Sequence, residues 1–383
     1  MTEKLYYIDS RVCEFTGTVL SCREKKGRWA VVLDRSAFFP EGGGQPGDRG
    51  VLGDAAVLDV HERDGEILHY CDRPAEAGSV VQGRVDAALR FARKQIHSGE
   101  HVVSGTAHRE WGCENVGFHM TEDAAVIDFD RELDEDQLRA LERMANEAVW
   151  EDIPVNILYP TADELAAIPF RQKKELSGQI RLVEIPGVDV CACCAPHVER
   201  TGQIGLIRFL DVMRHRGGMR ITMTAGRAAW EDAAEELRRS AALSRLFSVP
   251  REEILRGAER LTREAEARKQ RAAELEQLYV GLLARGSAPG NGRIAAFLPG
   301  EFSNPAMRAL AEALLEKAPL AAVFAGEDGA PYRYVLAASE GDLRPYGKAL
   351  NAALHGRGGG SALMLQGRVT AARREIEEFF HGE

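Results

Sequence analysis

The sequence predicts an α+β protein in four parts: a β-barrel-like domain over residues 1–88, an α/β sandwich holding a metal set over 89–225, a helical coiled-coil segment over 226–285 and an α/β domain over 286–383. Three observations carry this prediction. Short alternating stretches broken by frequent turns fill the first part. Strand and helix patterns then alternate up to about residue 225, where the composition shifts abruptly to Ala, Glu, Arg and Leu. A Gly, Ser and Pro linker, GSAPGNGR at 286–293, separates that helical stretch from renewed alternation of strands and helices.

In the first part EFTGTVLSC, WAVVLDRS, AAVLDVH and EILHY read as strands, and Asp64-Gly65 between the last two is a hairpin signal. Between them FFPEGGGQPGDRG, residues 38–50, has three successive glycines that permit positive φ and close backbone approach to a partner. It reads either as a tight loop at a barrel corner or as a contact with substrate through Gly43, Gly44 and Gln45.

The second part opens on RFARKQIHSGEHVVSGTAHRE, residues 90–110, a helix capped by Asp86 and stopped near Gly112. His97 and His101 stand four residues apart, so their rings share one helical face and can grip one ion. Cys193 and His197 repeat that offset, Cys193 lying 92 residues beyond His101. Three nitrogens and one sulfur suit zinc. Cys191 and Cys194 are further thiols, which leave the sulfur ligand less fixed than the histidines. GFHMTEDAAVIDFD at 117–130 alternates as a strand pair, and RELDEDQLRALERMANEAVWED is an amphipathic helix. VNILYP, a short helix around 162–168, QIRLVEIP, GLIRFLDVM and RITMT complete the sandwich, with the metal set expected between helix and sheet.

Beyond Pro250 the residues Ile254, Ala258, Leu261, Ala265, Arg268, Ala272, Leu275, Tyr279 and Leu282 recur at alternating steps of four and three. They form a heptad seam flawed by Arg268, able to pair with the helix at 228–247 or with a second copy of the chain. The last part reads as IAAFLP, NPAMRALAEALLEKA, LAAVFAGE, YRYVLAAS, YGKALNAAL, a glycine loop HGRGGGS, ALMLQGRV and TAARREIEEFF. Gly358 and Gly359 in that loop either expose amides suited to phosphate or serve only as a turn.

Composition narrows the functions available. Apolar residues at 45% and charged residues at 28% describe a soluble globular protein, and no stretch reaches the apolar length of a membrane span. The start MTEKLYYIDS has no basic region leading into an apolar run, so a cytoplasmic location is expected. Seven cysteines, three of them at 191–194, do not resemble a secreted disulfide framework. A net charge of −10 opposes a nonspecific nucleic-acid coat. Locally, however, residues 203–227 hold five arginines, among them Arg214, Arg216 and Arg220, against Asp211 alone.

HSGEH followed by CCAPHVERTGQIG resembles the HxxxH and CxxxH pairs of the alanyl-tRNA synthetase editing domain and of the free-standing AlaX-type editing proteins. FFPEGGGQPGDRG is similar to the glycine loop of their β domain, GGMRITMTAGRAA to the segment closing their editing core, and the heptad helices with HGRGGGSALMLQGR to the C-terminal part of alanyl-tRNA synthetases. Where the family pattern reads CGGTH this chain has Cys193-Cys194-Ala195-Pro196-His197. The resemblance implies zinc held by His97, His101, Cys193 and His197, and hydrolysis of the ester joining serine, or glycine, to tRNA(Ala). It leaves no room for an aminoacylation domain, so ATP-dependent charging is not expected. Glu100 is then a candidate general base, otherwise a solvated helix residue, and His119 and Thr121 are candidates for reading the serine hydroxyl, otherwise a mere strand surface. The basic segment and residues 226–383 are expected to meet tRNA, the latter also as a homodimer contact. HSGEH also fits the HxxEH signature of inverted zinc peptidases, which need a downstream carboxylate ligand where this chain offers Cys193 and His197. Four protein ligands would also suit a tRNA-binding protein with a purely structural zinc.

Overall fold

A computed structural model describes residues 1–172 and 180–382 of the chain. It forms two compact units, Met1–Arg239 and Ser240–Glu383. In the first unit the strands Glu14–Lys25, Arg28–Leu33, Glu66–Cys71, Ala55–Arg63, Gly50–Leu52 and Val80–Val85 close, in that order, into a barrel. Alternate residues such as Val19, Val31, Leu33, Val57, Val60 and Ile67 fill its interior. Asp64 and Gly65 both take positive φ and turn Ala55–Arg63 into Glu66–Cys71, as the Asp-Gly pair predicts. The strand Val80–Val85 is not legible in the sequence because it carries Gly83, where a Cβ would stand 2.3 Å from the Phe15 ring.

The helix Ala87–Trp111 follows directly, with the Leu89 N–H on Asp86 Oδ1 at 3.0 Å and Gly112 in the left-handed region at its end. Both boundaries agree with the sequence. Its Val102, Val103 and Ala107 pack with Leu141 and Val149 of the helix Glu135–Trp150 and with Ile127, Phe129, Ile221 and Met223 of a four-stranded antiparallel sheet. The sheet runs Ile207–His215, Gly218–Ala225, Ala125–Phe129, Asn115–Met120. Asp134 and Gln137 form the capping box of the second helix. A three-stranded sheet, Asn156–Leu158, Leu182–Ile185 and Asp189–Ala192, brings the cysteine segment to the other flank of the first helix. Gln179, the first residue of QIRLVEIP, lies outside the described residues.

The second unit holds the helix Ile254–Gly286 and a five-stranded sheet, Arg293–Leu298, Leu320–Ala325, Tyr332–Ala338, Met364–Val369, Arg357–Gly360. Val280 and Leu283 pack on Met307, Leu310 and Leu314, but the heptad seam stays exposed, with Leu275 at 50% and Leu282 at 65%. HGRGGGS is not a loop. Residues Arg357–Gly360 form an edge strand paired with Met364–Val369, and a Cβ on Gly358 would stand 2.3 Å from the Tyr334 hydroxyl. The glycines admit that ring beneath the strand. Among the described residues no helix is long and apolar enough to cross a membrane.

Candidate metal centre

The metal set is assembled from two elements distant in sequence. His97, His101, Cys193 and His197 each offer an atom within 4.8 Å of the others, and the three histidines are buried. Their rings form a triangle with centroids 5.5, 4.9 and 4.6 Å apart. Cys193 Sγ lies 3.6 Å from His97 Nε2 and 3.3 Å from His197 Nε2. A tetrahedral ion bonded at about 2.1 Å to nitrogen and 2.3 Å to sulfur sets ligand atoms about 3.4 to 3.6 Å apart. The residues fit such an ion.

What turns the three Nε2 atoms inward is the layer behind them. His97 Nδ1 meets Gln45 Oε1 at 2.8 Å, His101 Nδ1 meets Asp189 Oδ2 at 3.0 Å, and His197 Nδ1 meets Ser98 Oγ at 3.0 Å. The amide and carboxylate oxygens only accept, so His97 and His101 donate through Nδ1 and leave Nε2 with a lone pair for a metal. Asp189 is itself gripped by Arg171 Nε and its terminal nitrogen, both at 2.8 Å. Burial pushes the Asp189 carboxyl up, but the hydrogen bonds from His101 and Arg171 outweigh it and hold it below its usual range. Gly105 makes this contact possible, since a Cβ there would stand 2.5 Å from Asp189 Cβ. His101, Asp189 and Cys191 also cluster, but both Asp189 oxygens are already bonded, which places it behind His101 and not among the ligands.

Burial drives the Cys193 thiol up, reinforced by Cys194, and drives the His197 imidazole well down, reinforced by His101 and His97. Both shifts keep the groups uncharged. For the histidine that suits ligation directly, whereas the thiol becomes a ligand when a nearby cation stabilises its anion.

Glu100 is buried and not a solvated helix residue. Its Oε1 accepts from Ser104 Oγ at 2.7 Å and Asn115 Nδ2 at 2.5 Å, and its Oε2 lies 4.0 Å from His101 Nε2, on the metal-facing side of that ring. The glycine segment closes over the cluster. Gly42 and Gly43 pass Cys194 Sγ, the Gly44 carbonyl accepts from Met120 N at 2.8 Å, and a Cβ on Gly44 would stand 2.7 Å from Phe118. The segment is thus a barrel loop and a wall of the site at once.

The structure does not bring His119 or Thr121 to the cluster. Strand alternation points Phe118 at His97, ring centroids 4.9 Å apart, and leaves His119 exposed on the opposite face. Thr121 is exposed, with its hydroxyl on the Ala124 carbonyl at 3.3 Å. The basic segment is largely neutralised by acids from elsewhere. Arg220 is bidentate on Asp128, Arg214 lies 3.1 Å from Glu132, and Arg208 lies 3.1 Å from Asp232. Arg216 stands exposed in the turn before Gly217. Gly358 and Gly359 lie in the second unit, on the edge strand.

Sequence reasoning missed Ser98 and Asp189 as partners of the ligands. Ser98 was findable inside HSGEH as the residue following His97, and Asp189 as the lone acid just ahead of the cysteine cluster.

The family described as the threonyl and alanyl tRNA synthetase second additional domain matches residues 180–222, which include Cys193 and His197. The alanyl-tRNA editing protein AlaX-L of Pyrococcus horikoshii is 29% identical over 98% of this chain and 96% of its own length. The chain resembles an AlaX-type alanyl-tRNA editing protein along nearly its whole length. The same residues also resemble alanine–tRNA ligases, at 33% identity over 86% of this chain for that of Halobacterium salinarum and 32% over 96% for that of Methanothrix thermoacetophila. The chain spans only 38% and 42% of those ligases. A crystal structure of the C-Ala domain from Aquifex aeolicus alanyl-tRNA synthetase aligns with 25% of this chain and 98% of its own, at 19% identity and a TM-score of 0.21.

Proposed function

We propose that this AlaX-like protein is a zinc-dependent aminoacyl-tRNA deacylase of the cytoplasm that removes serine, and also glycine, from mischarged tRNA(Ala). The observation that carries the reading is the convergence of three Nε2 atoms and Cys193 Sγ, each ring held from behind by Gln45, Asp189 or Ser98. Zinc, when bound by His97, His101, Cys193 and His197, supplies positive charge that polarises the ester or acidifies water. Glu100, held by Ser104 and Asn115 beside His101, takes the proton from attacking water in this reading. Gln45 Nε2 is buried with no hydrogen-bond partner among the described residues and is a donor for the ester carbonyl, alongside the Gly43 and Gly44 backbone. A site that must bond the serine hydroxyl to bind productively rejects the alanyl ester, a discrimination that a pocket built to accept alanine does not achieve.

Arg214, Arg216 and the second unit, including Gly358 and Gly359, would hold the tRNA body, and the exposed seam would pair two copies. A zinc peptidase of the HxxEH type needs a carboxylate ligand. Asp189, the carboxylate beside His101, is turned to Nδ1 and to Arg171.

Incubating the purified protein with seryl-, glycyl- and alanyl-tRNA(Ala) and following ester loss tests this reading. Seryl-tRNA(Ala) should be hydrolysed far faster than alanyl-tRNA(Ala), and unfolded casein should stay intact. Zinc-dependent casein cleavage without deacylation would instead establish the peptidase.

A further inference from the structure

The glycine segment and the histidine helix are joined by a buried ionic contact two helical turns ahead of His97. Asp48 and Arg90 are 1% and 2% exposed. Asp48 Oδ2 accepts from Arg90 Nε at 2.8 Å, from an Arg90 terminal nitrogen, and from the Phe39 N–H at 2.7 Å. Arg90 also reaches the Ala37 carbonyl at 2.6 Å and the Ser10 carbonyl at 3.3 Å, and Arg93 reaches the Gly47 carbonyl at 2.6 Å. Arg90, Lys94, His97 and His101 follow one stripe of the helix, so the face that carries two metal ligands also grips the base of the loop.

Gln45 sits three residues before Asp48 and holds His97 Nδ1. Between Gln45 and the barrel the loop is Gly42-Gly43-Gly44, with positive φ at Gly43 and Gly44, and glycine contributes no stiffness of its own. On that side Gly42 and Gln45 pair through both backbone amides at 3.0 Å and the Gly44 carbonyl accepts from Met120 N at 2.8 Å, which ties the loop to itself and to a sheet strand but not to the helix that carries His97. The tie to the histidine helix itself comes from the other end, where Asp48 and Gly47 are held by Arg90 and Arg93. We infer that the Asp48–Arg90 pair is a positioning device that sets Gln45 against His97 and so orients one ligand of the metal centre. The inference rests on the reading of the four-residue cluster as a metal centre and not on the identity of the substrate.

The alternative is a pair that merely stabilises the fold, and metal affinity separates the two. Zinc is titrated into the metal-free full-length chain against a chromophoric chelator, at a temperature where circular dichroism shows every variant folded. Cobalt absorption reports the ligand geometry in parallel. Gln45→Ala should weaken zinc binding about tenfold, the lower end of what losing a partner behind a ligand does. Asp48→Asn should weaken it comparably and perturb the cobalt spectrum, and Arg90→Lys, which keeps the charge, should recover part of the affinity lost in Arg90→Met. The double variant Gln45→Ala with Asp48→Asn should bind no more weakly than Gln45→Ala alone, because both losses act through one tie. Wild-type affinity in Asp48→Asn, or losses that multiply in the double variant, would overturn the inference. Should Asp48→Asn fail to fold, Arg90→Lys replaces it in the same cycle with the same criterion. If the wild-type chain itself takes up no metal, the reading of the cluster falls and the inference with it.

Discussion

The helix Ala87–Trp111 and the helix Ile254–Gly286 are both rich in charge, and they differ in what surrounds that charge. The first buries Arg90, Arg93, Lys94, Glu100 and two histidines, most with a named partner on another element. The second buries only Gly257 and Val280, and its ion pairs, such as Arg260 with Glu264 at 2.9 Å, link neighbours on its own surface. A buried charge must be answered by a specific group at a specific place, so it fixes geometry. A surface pair is answered by water as well and fixes little. The His/Cys cluster that could hold a metal sits where the chain has committed its charges in the first way.

The largest effects should come from the ligands. His97→Ala should abolish metal uptake and lower deacylation by more than about 100-fold, beyond what losing a partner behind a ligand usually does. Metal content per chain together with single-turnover ester hydrolysis measures this. Cys193→Ala should behave alike while Cys191→Ala keeps its metal; the reverse pattern would move the sulfur ligand to the thiol beside Asp189.

Next in size is the cost of an unanswered buried charge. Arg90→Met leaves Asp48 buried without its cation and should destabilise the first unit by about 3–5 kcal/mol. Arg260→Met on the second helix should change stability by no more than about 0.5 kcal/mol. Urea unfolding of the two variants compares the helices directly, and equal effects would break the contrast.

Burial also gives the barrel a pH dependence. His69 is fully buried, with Nδ1 on the Val31 carbonyl at 2.9 Å and Nε2 on Ser36 Oγ at 2.7 Å, and burial lowers its pKa to about 4. The unfolded chain takes up this proton near pH 6.5 and the folded chain near pH 4, so the stabilising difference is intact above about 6.5 and lost on the way down to 4. The loss amounts to roughly 3 kcal/mol. His69→Gln should flatten the fall in unfolding free energy between those pH values, and an unchanged slope would assign the acid sensitivity elsewhere.

The sequence made some features legible and not others, for physical reasons. Local rules succeeded where the partner is local: Asp86 and Gly112 at the ends of the histidine helix, Asp64-Gly65 in its hairpin, and the four-residue offsets that place ligand pairs together. They failed where the partner is remote. Gln45, Ser98 and Asp189 meet ligands 52, 99 and 88 residues away, and no periodicity encodes that. The same remoteness hides the acids that meet the basic segment, where Arg220 is held by Asp128 of a neighbouring strand and Arg214 by Glu132 in the turn beyond it. HGRGGGS looked like a loop because glycine signals turns, whereas here its missing side chains accommodate Tyr334.

The smallest expected effect concerns the second unit. Residues 240–383 contain none of the four clustered ligands and none of the groups behind them, so removing them should leave the chemistry in place. Where the chain is cut matters. Ending it at Gly226 would discard Ala229, which is buried, and Asp232, which answers Arg208, whereas ending it at Arg239 keeps both within the first unit. The shorter chain should keep its metal and deacylate at a similar rate once saturated, because contacts with phosphate add affinity that is shared by ground and transition states. It should need more tRNA to saturate, and its half-saturating concentration should depend less steeply on salt. Single-turnover rates over a series of enzyme and salt concentrations measure both quantities. A large fall in the saturated rate, with metal and fold retained, would mean that the second unit helps to build the active site and that chemistry and capture are not divided between the two.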